Sequence, residues 1–469
     1  MTFLVVEELS DTSDAPAPEN IIQLMLRELT KRRSRFFIFA VLIAISFETK
    51  SQQNSDSLLQ QASLPDVIAY SLKRQPLIQQ SLIDERTTEL EIKSRLADWY
   101  PQINFNYLYQ HNFLVQSSII GGNVVKFGVN NTSAIQFTAS QTIFNRDVLL
   151  ANRTKGNVIL QARQQTDNVK IDIVTNVSKA FYDVLATEQQ VKVGKANIAR
   201  LERSLDDAKS RYDAGIVDKT DYKRAAIALN NARALRKSNQ EAAKAKTQFL
   251  KALMNYPESA ELNILYDSAK LENEITFDTL QIPDFTKRIE YRLLETNRKL
   301  AEANVSYNKW SFIPTLSANG AYNYNYQNND FGKLYNLSFP YSYAGLTLSF
   351  PIFQGGKRKY EIRQAEWQLK RIDFALINLK NTILAEYSQA LANYKASLAN
   401  YYSLKENVKL AQEVYDVLDL QYRSGIRTYL EVITAETDLR TAQINYFNAL
   451  YQILSSKIDL ERSLGTLTY

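Results

Sequence analysis

From Lys357 to Ser424 the chain contains neither glycine nor proline, and the same is true of Ile216–Tyr256 and Ile426–Leu464. Runs of that length without a breaker predict long helices, not a string of compact domains. At 1.5 Å per residue the longest reaches about 100 Å, and its return partner after Gly425 about 60 Å. Apolar residues in the longest run recur in steps of three and four, at Ala365, Leu369, Ile372, Leu376, Leu379 and Ile383. The rhythm lapses between Tyr387 and Tyr401, then resumes at Leu404, Val408, Ala411, Tyr415, Leu418 and Tyr422. This is a coiled-coil seam with a discontinuity. On periodicity alone it fits a structural coiled coil.

Other segments carry the period of a strand. Ile103, Phe105, Tyr107 and Tyr109 alternate with Asn104, Asn106, Leu108 and Gln110. Tyr322, Tyr324 and Tyr326 alternate with Asn323, Asn325 and Gln327, and Leu346, Leu348 and Phe350 with Gly345, Thr347 and Ser349. Ala134–Gln141 alternates more weakly. Each stretch has about the ten residues that a tilted transmembrane strand needs. An apolar or aromatic face opposite an Asn/Gln/Ser/Thr face fits a barrel with a wet lumen, although alternation also fits a soluble sheet packed on one side.

The chain repeats itself at a shift of about 210 residues. Arg211-Tyr212-Asp213-Ala214-Gly215-Ile216 aligns with Gln421-Tyr422-Arg423-Ser424-Gly425-Ile426, and an acid follows six residues after each glycine, Asp221 and Glu431. Thr142-Ile143-Phe144 aligns with Pro351-Ile352-Phe353, and Tyr100-Pro101-Gln102-Ile103 with Ile313-Pro314-Thr315-Leu316. The expected organisation is an amino-terminal extension and signal peptide (1–51), then a first repeat (52–256) with a strand hairpin over 101–144 and a long helical hairpin turning at Gly215. An inter-repeat equatorial segment (257–286) leads to a second repeat (287–469), with a strand hairpin over 314–353 and a turn at Gly425.

The signal peptide is read from Lys31, Arg32, Arg33 and Arg35 before the apolar run Phe36–Phe47 and a polar exit. Acids at Glu7, Glu8, Asp11 and Asp14 suit Met25 as the start, with cleavage near Ser51. Zero cysteine excludes disulfides, thiolate metal sites, thiol nucleophiles and an acyl anchor, and one histidine, His111, cannot build a multi-histidine metal site. No cofactor and no catalysis are expected; His111, at the end of a strand and the start of a polar loop, reads as an exposed residue. Charges of both signs alternate along the helices, for a net +6, so no nucleic-acid stripe is expected.

Four strands cannot close a barrel, and open edges are not tolerated in lipid, so several copies must contribute. The residues alone leave two, three or four copies open. They also leave two rivals: a trimeric autotransporter-like adhesin, which would need consecutive carboxy-terminal strands, and a structural periplasmic coiled-coil protein. The sequence resembles the TolC-type outer-membrane efflux proteins over nearly all of its mature length. The resemblance rests on Ser63-Leu64-Pro65-Asp66-Val67-Ile68-Ala69, Phe312-Ile313-Pro314-Thr315-Leu316-Ser317, Phe350-Pro351-Ile352-Phe353-Gln354-Gly355-Gly356-Lys357 and Tyr422-Arg423-Ser424-Gly425-Ile426-Arg427-Thr428.

That resemblance implies a mainly α chain with a membrane β-barrel. A homotrimer would close 12 strands (four per chain) above a periplasmic α-barrel of long antiparallel hairpins. It implies an exit duct in the outer membrane, working with a periplasmic adaptor and an inner-membrane pump of the RND or ABC type. The glycine turns, Gly215 and Gly425, would form the periplasmic tip that docks the adaptor. Gate links would join Thr220 and Asp221 of the first turn to Tyr422 and Arg427 of the second, with Arg427 bonding a carboxylate and a hydroxyl. Glu431 matches a constricting acid ring, weakened because Thr434 stands where its second acid would be. The tyrosine faces should meet lipid, with Asn323 and Asn325 in the lumen and 328–337 near the extracellular loops.

Overall fold

Two helices of 68 and 67 residues dominate the computed structural model, each about 100 Å long. Residues 59, 61–266 and 268–467 are described, with the backbone alone for 268–270; the expected signal peptide lies outside them. The helices are α1 (Leu64–Arg74), α2 (Pro76–Ala97), α3 (Arg146–Asp213), α4 (Lys219–Met254), α5 (Ser268–Glu274), α6 (Ile289–Lys309), α7 (Lys357–Arg423) and α8 (Tyr429–Leu464). The strands are β1 (Gln61–Ala62), β2 (Gln102–His111), β3 (Ser117–Ile120), β4 (Asn123–Lys126), β5 (Asn131–Phe144), β6 (Asn263–Ile264), β7 (Thr315–Asn328) and β8 (Ser338–Ser349).

Four strands form one antiparallel sheet in the order β2-β5-β7-β8. Phe105 lies opposite Phe137 and Phe137 opposite Tyr322; Tyr107, Ile135 and Tyr324 form the next row. With side chains alternating across the pleat, these rings share a face with Ile103, Leu346 and Leu348. Asn104, Asn106, Gln136, Thr138, Asn323, Asn325 and Thr347 occupy the other. The upper half of β8 departs from this pattern. Ser342 is the partner of Tyr322, so Phe339, Tyr341 and Tyr343 fall on the asparagine face.

The helices follow the order of the strands they adjoin. α2 leads into β2, β5 into α3, α6 into β7 and β8 into α7, and packing runs α2 on α3, α3 on α6 and α6 on α7. Toward the glycine turns the neighbours become α4 on α3, α3 on α8 and α8 on α7. The edges of both arrays carry exposed apolar residues. Ile83 and Leu90 on α2, and Tyr360, Trp367 and Phe374 on α7, each repeat at seven-residue steps.

The main core sits midway along the helices, where Phe181, Leu185, Leu250, Met254, Leu450 and Ile453 are essentially sealed from solvent. Truncating one of these leucines to alanine should cost about 2–5 kcal/mol. Here the lapse in the α7 rhythm acquires its reason. Tyr387 donates its hydroxyl to the Gln281 carbonyl at 2.8 Å, Tyr394 to that of Ile275 at 2.7 Å, and Lys405 pairs with Glu272 at 2.6 Å. Side chains of α7 turn from the helical seam to grip the inter-repeat segment.

Two features at the sheet's far end were not expected. A second hairpin, β3–β4, turns at Gly121-Gly122, both at positive φ (59° and 86°), and leaves Ile119 and Val124 more than 70% exposed. The 3₁₀ segment Phe331–Asn336 folds over the aromatic face, sealing Leu334 and covering Asn131 and Ser133; its Tyr335 meets the Tyr107 hydroxyl at 2.9 Å. His111 is the exposed last residue of β2, at the strand end where the sequence puts it; its Nδ1 lies 2.6 Å from Asn131 Oδ1.

Candidate gate at the paired helical turns

Helices α3 and α7 end in the same backbone device. Gly215 and Gly425 adopt φ of +71° and +76°. The N–H of Ile216 reaches the Arg211 carbonyl and that of Gly215 the Tyr212 carbonyl, both at 2.9 Å; Ile426 to Gln421 and Gly425 to Tyr422 repeat those bonds at the same lengths. These are Schellman closures, and they need a left-handed residue that glycine supplies without strain. A β-carbon on either glycine would meet nothing within 4 Å, so backbone conformation, not space, demands the residue.

The following helices start with different caps. Asp218 caps α4, accepting the Thr220 N–H at 3.1 Å and the Thr220 hydroxyl at 3.2 Å. Thr428 caps α8 through a capping box: Glu431 Oε2 accepts its N–H at 2.9 Å and its hydroxyl at 3.1 Å. These Thr428 bonds hold the Glu431 carboxyl below its usual range, helped by Arg427.

The four expected gate residues gather at this end of the hairpins, and within the protomer they have the following neighbours. Arg427 donates to Glu431 Oε1 at 2.8 Å and to Gln421 Oε1 at 3.1 Å. Within the protomer its carboxylate partner is thus four residues ahead on its own helix, a spacing that brings two side chains together locally. Asp221 lies 4.0 Å from Arg224. Tyr422 is 4% exposed, with the Arg211 guanidinium 4.6 Å over its ring and the Tyr429 ring at 5.7 Å. Burial pushes the Tyr422 phenol up, Arg211 opposes that and nearby Asp221 adds to it. The Tyr422 and Tyr429 hydroxyls are buried without a hydrogen-bond partner. Thr434 bonds the Leu430 carbonyl of its own helix.

A buried charge near these turns escaped the sequence reading. Glu436, 2% exposed, accepts from Arg200 Nε at 3.0 Å and Asn197 Nδ2 at 3.1 Å, tying α3 to α8. Burial raises its carboxyl above the usual range, against the pull of Arg200. Its i, i+4 position gave no signal, because both partners lie more than 230 residues away. Among the described residues no group of His, Asp and Glu is placed to hold a metal ion. The arrangement can hold two helical hairpins together; it contains no array of reactive groups.

Two stacked arrays run in one order, a four-stranded sheet continuing into four helices whose far ends carry paired turns. The chain belongs to the outer membrane efflux protein family, whose model matches residues 67–255 and 292–466. That family sets it in the outer membrane as an efflux component. It is 23% identical to outer membrane protein TolC of Escherichia coli K12 over 462 residues, covering 92% of this chain and 86% of that protein. Its fold matches the outer membrane protein VceC of Vibrio cholerae (TM-score 0.67, 15% identity, 86% of this chain and 96% of that one). It also matches the MtrE outer membrane channel of Neisseria gonorrhoeae, at TM-score 0.67 and 18% identity, covering 86% and 91% of the two chains.

Proposed function

We propose that three copies of this chain close a 12-stranded barrel above a helical tunnel. The assembly would act as the exit duct of a tripartite efflux or type I secretion system. The observation that carries this reading is the shared order of the two arrays. Among the described residues, sheet and helices both end on free edges, β2 with α2 on one side and β8 with α7 on the other. A second copy brought to β8 therefore offers β2 and α2 together. Lipid requires the strand edges to be paired, and the exposed seams on α2 and α7 need cover in water. Width argues against two copies, whose eight strands give an interior that side chains just fill; three copies, the number the family resemblance implies, leave a passage. The apolar sheet face then meets lipid and the asparagine face lines the lumen.

At the other end Gly215 and Gly425 form the tip that meets a periplasmic adaptor, which couples the duct to an inner-membrane pump of the RND or ABC type. Thr220, Asp221, Tyr422 and Arg427 close that tip between pumping events, and Glu431 narrows it. Relatives named for pyoverdine export and toluene efflux support a passive duct whose cargo is chosen elsewhere. Purified from outer membranes, the protein should run as a heat-modifiable trimer and conduct in planar bilayers. A monomer without conductance would overturn the proposal.

A further inference from the structure

We infer that Arg211 is a clamp joining the two hairpin turns of one protomer, and that closure of the tip depends on it. The inference rests on the gate reading above. Arg211 occupies the last turn of α3, and its carbonyl accepts the Schellman bond from Ile216. From there its side chain crosses to the other repeat. The guanidinium lies 4.6 Å over the Tyr422 ring, and Nη2 donates to the Arg423 carbonyl at 3.1 Å. One planar cation therefore meets the face of a buried ring and one of the free carbonyls at the end of α7, where the helix dipole favours positive charge. Lysine could supply the charge but not a flat fork that stacks and bonds at once.

The placement matters because the two hairpins pack on each other here. Ala208 and Ala225 from the first repeat pack with Tyr415, Tyr422, Tyr429 and Val432 from the second. The alanines are small, so Arg211 is the long side chain that reaches across from the first turn to the second. Tyr422 brings a hydroxyl with no partner into this packing, a cost that favours its leaving. Arg211 holds the ring in place against that tendency. While the clamp is shut, the two turns of a protomer move as one body.

The full-length protein in planar bilayers supplies the test. Arg211→Ala should raise single-channel conductance severalfold with the heat-stable trimer retained. Arg211→Lys should give an intermediate rise, and Lys209→Ala, an exposed cation two residues earlier on the same helix, should give none. Adding Tyr422→Leu to Arg211→Ala should bring no further increase, because both remove the same contact. Wild-type conductance in Arg211→Ala, or effects that multiply in the pair, would overturn the clamp. If Arg211→Ala does not assemble, Arg211→Lys decides by the same criterion. Tyr422→Phe with Arg427→Ser leaves the stacked ring in place. A rise there with none in Arg211→Ala sinks the clamp and leaves the gate reading standing; no rise in either sinks both.

Discussion

The two turns at Gly215 and Gly425 share a backbone and differ in what their side chains reach. Both close with the same pair of 2.9 Å bonds and the same left-handed glycine. Yet the first turn extends a cation, Arg211, while the second supplies the ring beneath it, Tyr422. The first caps its outgoing helix with an aspartate bonded to Thr220, the second with a capping box whose acid is also gripped by Arg427. Duplication made two identical ends; divergence made them complementary. Residues that set the backbone had to stay alike in both copies, because left-handed φ leaves little choice. The tyrosine before each turn was kept, but Tyr212 stacks on Tyr222 of its own hairpin while Tyr422 lies under Arg211. The position before it diverged, to Arg211 in one copy and Gln421 in the other, so a single cation serves the Tyr422 ring and the Arg423 carbonyl.

The comparison breaks most sharply at the glycines. Gly215→Val or Gly425→Val places a β-branched residue at positive φ, a strain on the order of 1–2 kcal/mol or more. Export should be abolished in either variant while the trimer still assembles; full export by both would remove the turns from docking. Next comes Tyr422→Phe with Arg427→Ser, expected to raise bilayer conductance severalfold without loss of the trimer. Unchanged conductance would leave closure to other contacts. The smallest effect belongs to Glu431. Its folded pKa lies below the ordinary value of about 4.3, so the capping box contributes above that pH and is lost as pH falls through the lowered value. Conductance of the wild type should begin to change only in that acid range. Glu431→Ala should abolish that dependence and weaken block by divalent cations; retained pH dependence would assign the titration to another group.

The long helices, the glycine turns and the strand alternation were legible because each rests on local rules: breaker-free runs, left-handed closures and period two. The seam's lapse at 387–401 was legible as a lapse, but its cause lay in a partner more than 100 residues away, at Ile275 and Gln281. The β3–β4 hairpin had a readable signal, Gly121-Gly122 between short apolar runs, masked by the polar residues on either side. The reversal on β8 was hidden because Phe339, Tyr341 and Tyr343 alternate as regularly as Leu346 and Leu348. Only pairing with β7 shows that they occupy opposite faces. At the tip, residue types were legible by resemblance, while the contacts made within one protomer were not. Arg427 took the nearest carboxylate, Glu431, and Arg211 found its ring 211 positions along the chain.

The grip of Tyr394 on the inter-repeat segment has a mechanical side. Helix α7 runs unbroken from that contact to Arg423, about 29 residues or roughly 44 Å at the helical rise. A rod held there behaves as a lever with its fulcrum at the belt. A tilt of about 5° at Tyr394 sweeps the far end through about 4 Å over that length, close to the 4.6 Å that separates Arg211 from the Tyr422 ring. Movements too small to disturb the central packing are thus magnified to the scale of a side-chain contact at the end of the arm.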